Sequence, residues 1–125
     1  SYARQIITLT ASHIGNTGCN DEDLESNTVW ASGLVVRDCA ILHSNYRARY
    51  SLPEWLRKRG VVAIAGVDTR ALTIKLREQG AMGACISTLV DEPETALTLA
   101  KNFSGLKGMD LAAKVSRKTI ERWHE

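Results

Sequence analysis

Apolar residues fall into short blocks along the chain, and the polar residues between the blocks carry the signals that start and stop helices. Residues 4–10 (R-Q-I-I-T-L-T) are rich in β-branched side chains and predict a strand. It breaks into residues 13–23, where Asn16, Gly18, Asn20, Asp21 and Asp23 supply turns and side-chain to backbone hydrogen bonds, the composition of a loop held in one shape. Residues 33–37 and 40–43 are two further apolar runs parted by Asp38-Cys39, and both read as strands.

Ser51-Leu52-Pro53-Glu54 is a capping box with proline in the first turn, and it predicts a helix over 52–59 that Gly60 ends. Residues 61–65 are apolar on both faces, as in a buried strand of a parallel sheet. Asp68-Thr69 then caps a helix over 69–79, with Leu72 and Leu76 one turn apart and Gly80 as its stop. Another strand is expected over 83–88. Asp91-Glu92-Pro93-Glu94 opens a helix over 93–101 with Ala96, Leu97, Ala100 and Phe103 as its apolar stripe, and Asp110 starts a short helix through Val115. Strand and helix alternate from residue 52 onward, which is the pattern of an α/β domain. Residues 117–125 form a charged tail with no assigned packing.

Composition narrows the function classes. The 125 residues suffice for one domain, and 44% apolar with 24% charged residues excludes a disordered chain. The net charge is only +2, and the basic residues are dispersed, so a nucleic-acid footprint is absent. The longest apolar run, 61–65, is far below the roughly 20 residues that span a membrane as a helix. Cys19, Cys39 and Cys85 are odd in number, widely spaced and without a C-x-x-C pair, so free thiols in a reducing cytoplasm are expected.

Few residues qualify for chemistry. Gly83-Ala84-Cys85 resembles the start of a nucleophile elbow, but the glycine that such a turn needs two residues later is Ser87, so Cys85 reads as a packed strand residue. Cys19 lies in the loop with no histidine placed beside it. His13, His43 and His124 lack metal-ligand spacing, and Gly15-Asn16-Thr17-Gly18 lacks the lysine of a phosphate loop. Asp68-Thr69-Arg70 follows an apolar strand, where open α/β sheets place ligand groups; the same residues also serve as a helix cap with a first-turn arginine.

Several segments taken together are more specific. Ser1-Tyr2, His13-Ile14-Gly15-Asn16-x-Gly18-x-Asn20, Asp23-x-Glu25-Ser26, Gly33-Leu34-Val35-Val36-Arg37, Ser44-Asn45-Tyr46-Arg47, Asp68-Thr69-Arg70-Ala71-Leu72-Thr73 and Gly108-Met109-Asp110-Leu111 occur in this order. From residue 1 to about 116 the chain resembles the N-terminal domain of the small subunit of glutamine-hydrolysing carbamoyl-phosphate synthase. The resemblance implies an α/β fold of the three-layer β/β/α swivelling type, with a parallel sheet and a smaller antiparallel sheet, here truncated at its N-terminus. It also implies that the chain is part of a subunit that hydrolyses L-glutamine and passes ammonia to a large subunit, which makes carbamoyl phosphate from bicarbonate using ATP and Mg. Glutamine cleavage in the family belongs to a following Cys-His-Glu domain, so no catalytic residue and no cofactor is expected within these residues.

One glutamine contact of the family is the serine of a Pro-Ser-Tyr motif, and Ser1 before Tyr2 takes that place. The loop departs from the family in having Ser12 where proline precedes His-Ile-Gly-Asn. The large-subunit interface is expected on loop 13–26, including Asn16 and Asn20, with Asn45, Arg47, Asp68 and Arg70, because fixed amides and charges suit a polar, wet contact. The competing reading is a free-standing, non-catalytic protein-binding α/β domain.

Overall fold

The computed structural model describes residues 2–120. Strand β1 (Ile6–Leu9), strand β2 (Gly33–Val36) and strand β3 (Val62–Ile64) form one sheet in the order β1-β2-β3. Both pairings are parallel, with Ile6 opposite Gly33 and Gly33 opposite Val62. Parallel neighbours need a crossover connection. Helix α1 (Leu52–Lys58) lies in the one between β2 and β3, whereas residues 10–32 join β1 to β2 with no helix.

The helix signals act as their chemistry dictates. The Ser51 hydroxyl accepts from the Glu54 amide, and the Glu54 carboxylate accepts from the Ser51 amide at 2.9 Å, closing the capping box of α1. Helix α2 (Thr69–Gln79) is capped by Asp68, whose carboxylate accepts from the Ala71 amide at 3.0 Å, and it stops at Gly80 with φ 81°. Helix α3 (Pro93–Asn102) starts after Glu92 without a side-chain cap, and α4 (Leu111–Val115) repeats the aspartate cap with Asp110 accepting from Ala113. Leu72 and Leu76 are half-buried on α2, as their spacing predicts.

The core is small. Val35 and Val36 of β2 are buried with Leu56 of α1 and Ala3, and Thr69, at the start of α2, is 1% exposed. The central strand is apolar on both sides because it has covered faces on both. Gly33 serves this packing: a Cβ there would sit 3.3 Å from Ile86 Cδ1 and from the Val62 carbonyl.

Four expectations are corrected. Residues 40–43 are not a strand; Ile41 and Leu42 are 93% and 84% exposed, and among the described residues the pairing nearby is a single bridge between Cys39 and Ile14. Residues 61–65 do contain a strand, but β3 is an edge strand with Ala63 and Ile64 exposed, since among the described residues nothing pairs with its outer side. Residues 83–88 are irregular: Gly83 packs on the Ala100 backbone and Ile86 on Gly33, so side-chain packing replaces a ladder. Leu97 of the α3 stripe is 54% exposed, while Ala96 and Ala100 are half-buried. Among the described residues there is one sheet, and the antiparallel pairing amounts to the bridge between Cys19 and Tyr50. Of the tail, residues 117–120 are irregular; 121–125 lie outside the described residues.

Candidate functional site at the carboxyl edge of the sheet

Because all three strands run the same way, their carboxyl ends open on one edge, the place where α/β sheets present loops for binding. Residues 10–32 leave that edge after β1, residues 37–51 after β2, and residues 65–68 lead from β3 to the start of α2. Backbone hydrogen bonds stitch the three together. The Ala40 amide donates to the Ile14 carbonyl at 2.8 Å, Ser44 to Asn16 at 2.9 Å, and Gly66 to Arg37 at 2.9 Å. Cys19 donates to the Tyr50 carbonyl and its own carbonyl accepts from Arg49 and Tyr50, at 2.9 to 3.0 Å.

The seam closes this tightly only because Gly18 lacks a side chain. Its φ is 66°, and a Cβ there would lie 2.6 Å from Ala48 Cβ and 2.9 Å from His43 Cδ2. Just beyond it, Asn20 folds the chain into an Asx turn. Its side-chain oxygen accepts from the amides of Glu22 and Asp23, each at 2.8 Å, and its side-chain nitrogen donates to the Asp23 carboxylate at 2.8 Å.

That turn presents three consecutive carboxylates, and an arginine meets each. Arg59 reaches Asp21 at 3.0 Å, Arg49 reaches Glu22 at 2.8 Å, and Arg47 reaches Asp23 at 2.6 Å with Glu22 3.8 Å away. The Asp23 carboxyl is held below its usual range, first by the Asn20 hydrogen bond and then by the Arg47 guanidinium. Arg59 also lies over the Trp55 ring, 4.5 Å from its centroid, as Lys58 does over Tyr50. Trp55, Leu24, Gly18, Cys19, Asn20 and Asp23 line a cleft of about 230 Å³. The indole N–H of Trp55 is buried, with no hydrogen-bond partner among the described residues.

Burial pushes the Cys19 thiol up, against the opposing pull of the nearby Arg59 charge. Cys39 and Cys85 are likewise free thiols, half-buried among packed residues. A second cleft of about 490 Å³ lies where α1 meets β3, lined by apolar residues such as Leu34, Leu52, Leu56, Val62 and Ile64. Among the described residues no helix is long and apolar enough to cross a membrane.

The sequence-nominated residues take definite places at this edge. Asn16 receives the Ser44 amide on its carbonyl, Asn20 builds the acidic turn, Asn45 accepts from the Arg47 amide through its side chain at 2.9 Å, and Arg47 clasps Asp23. These four come together in one seam. Asp68, at the end of the third loop, caps α2, and Arg70 is exposed in the first turn of that helix. Ser1 lies outside the described residues. Sequence reasoning missed the pairing of Asp21, Glu22 and Asp23 with Arg59, Arg49 and Arg47; the acidic run and the Arg47-x-Arg49 alternation were visible, but nothing local links positions 24 to 38 residues apart.

Residues 1–86 match the family model described as carbamoyl-phosphate synthase small chain, CPSase domain. The chain is 54% identical over its full 125 residues to the carbamoyl phosphate synthase small chain of Xanthomonas campestris, and covers 33% of that relative. It is 55% identical over 124 residues, 98% of the chain, to the small chain of Pseudomonas aeruginosa, covering 32% of it. To that of Thioalkalivibrio sulfidiphilus it is 56% identical over 125 residues, all of the chain and 33% of the relative. The chain thus spans about a third of the length of the curated relatives it matches. With more than two thirds of its residues inside the family model and its whole length aligned to these relatives, the chain belongs to the carbamoyl-phosphate synthase small chain family, CPSase domain.

Proposed function

We propose that the chain works as part of the glutamine-hydrolysing small subunit of a cytoplasmic carbamoyl-phosphate synthase. In this reading the subunit supplies ammonia to a large subunit that makes carbamoyl phosphate from bicarbonate, using ATP and Mg, for arginine and pyrimidine biosynthesis. The observation that carries it is the whole-chain identity above 50% to small chains from several bacteria. These residues are inactive by themselves and have two tasks: to hold the large subunit and to complete one wall of the glutamine site.

The carboxyl edge of the sheet suits the first task. Asn16, Asn20, Asn45, Arg47 and Asp68 stand on loops already fixed by hydrogen bonds, and Arg70 stands in the first turn of α2, so little backbone ordering cost remains on association. Ser1 suits the second, because its hydroxyl can donate to a carboxylate or accept from an ammonium. In this reading the domain has three layers, β/β/α, with a smaller antiparallel sheet beside the parallel one; the exposed apolar side chain of Ile64 on edge strand β3 supports further cover there.

Replacing Ser1 with alanine in the full-length small chain tests the glutamine role. The expected result is a KM for glutamine raised about tenfold or more, with ammonia-dependent synthesis unchanged. An unaltered glutamine dependence would contradict it.

A further inference from the structure

Two residues just ahead of β1 hold a backbone conformation that is costly for an L-amino acid. Tyr2 has φ 52° and Arg4 has φ 60°, in the left-handed region that glycine, asparagine and aspartate enter most readily. Among the described residues, His13 is the one other non-glycine residue with a positive φ. Packing of the two side chains does not explain the conformation, since Tyr2 is 60% exposed and Arg4 is exposed as well.

What holds the strain is the frame around it. Ala3, between the two, is 6% exposed and belongs to the buried apolar core with Val35, Val36 and Leu56. The Gln5 amide donates to the Tyr2 carbonyl at 3.1 Å and closes a four-residue turn over 2–5. Arg4 is the third residue of that turn, a place where a positive φ usually falls to glycine or asparagine. The Gln5 carbonyl in turn accepts from the Ser32 amide at 2.8 Å, one residue before β2, and from Ile6 onward β1 pairs with β2. The turn is therefore buried at its second residue and fastened to the sheet at its last. It lies at the amino end of β1, so the loops of the carboxyl edge play no part in holding it. Residues kept in such strain by a fixed frame cluster where function needs one backbone direction.

We infer that the turn over Tyr2, Ala3, Arg4 and Gln5 is a positioning device for Ser1, with Ala3 as its anchor. This deepens the proposed function and rests on its assignment of a glutamine contact to Ser1. The φ of Tyr2 is the rotation that sets the Ser1–Tyr2 peptide against the anchored turn, and the φ of Arg4 sets the turn against β1. A change of either to an extended value redirects the peptide that carries Ser1. A hydroxyl that recognises one end of an amino acid tolerates little of this, because hydrogen bonds weaken steeply with distance and angle. Tyr2, Ala3 and Arg4 are positioning residues, acting through Ser1 and through their backbone.

The test uses the full-length small chain assembled with its large subunit, and reads the KM for glutamine beside the rate of ammonia-dependent synthesis. Arg4→Gly removes the side chain but keeps the left-handed backbone, and should leave the KM within about twofold of wild type. Arg4→Pro, whose ring fixes φ near −65°, should raise it about tenfold, and Arg4→Val, β-branched and disfavoured at positive φ, about three- to fivefold. Ammonia-dependent synthesis should be unchanged in all three. In a Ser1→Ala background Arg4→Val should add nothing further, because its effect passes through Ser1. If Arg4→Pro fails to assemble, Arg4→Val decides the matter. An unchanged KM in Arg4→Val, an equal rise in Arg4→Gly and Arg4→Val, or an additive rise in the Ser1→Ala background overturns this inference and leaves the proposed function standing. An unchanged KM in Ser1→Ala alone overturns the glutamine contact of Ser1, and this inference with it.

Discussion

Arg47 and Asp23 meet at 2.6 Å across 24 positions of the chain, and their contact fastens the loop after β1 to the loop after β2. Exposed ion pairs are individually weak. This one counts because it closes a seam in which Asn20 has already aimed the Asp23 carboxylate and Asn45 has already turned the Arg47 backbone. The pair should accordingly show coupling. In a double-mutant cycle of Asp23→Ala and Arg47→Ala, each single change should have nearly the effect of both together on hydrogen exchange at Glu22 and Asp23; independent, additive effects would mean that the contact does not hold the turn.

Gly18 is the seam's steric condition. Gly18→Ala brings a Cβ against Ala48 and His43 at a positive φ, so a loss of about 2–4 kcal/mol is expected from left-handed strain and overpacking combined. Gly60→Ala, at a similar φ of 66° with nothing near its Cβ, should lose only about 1–2 kcal/mol. Thermal denaturation of both variants gives the comparison.

Asp23 sets the acid limit of the turn. Its folded pKa is depressed, so its contribution is present above the unfolded value and is lost as pH falls through the folded one. The turn should stay closed from neutral pH down to about 4 and open in stronger acid. By NMR titration, Asn20→Ala and Arg47→Ala should each move the Asp23 pKa back toward its usual value, because the Asn20 hydrogen bond and the Arg47 guanidinium both favour the charged carboxylate.

Ser51 nucleates α1, the helix that packs against β3. Ser51→Ala removes both hydrogen bonds of the Ser51 hydroxyl, while the Glu54 carboxylate keeps its bond from the residue-51 amide, and should cost about 1 kcal/mol by chemical denaturation. Ser51→Asp should recover most of that loss, since an aspartate also caps.

How far the fold was legible depended on how local its causes were. The helices over 52–58, 69–79 and 93–102 followed from Ser51-x-x-Glu54, Asp68 and Pro93, signals that act within one turn. Strands depend on neighbours. Val61 to Ala65 looked buried because it is apolar, yet its exposure follows from its place at the sheet edge, and residues 40–43 and 83–88 have strand composition without a ladder to join. The polar loop 13–26 was recognised as ordered from its asparagines and glycines. Its partners were not, because the Arg59 to Asp21 contact spans 38 positions and is fixed only when the sheet brings both loops to one edge.

The central claim is that this carboxyl edge is the face toward the large subunit, and hydrogen exchange by mass spectrometry on the full-length small chain, free and bound, tests it most directly. Binding should protect residues 13–26, 39–50 and 68–72 and leave α3 and α4 unchanged. Protection confined to residues 93–115, with the three loops exchanging as before, would contradict the account.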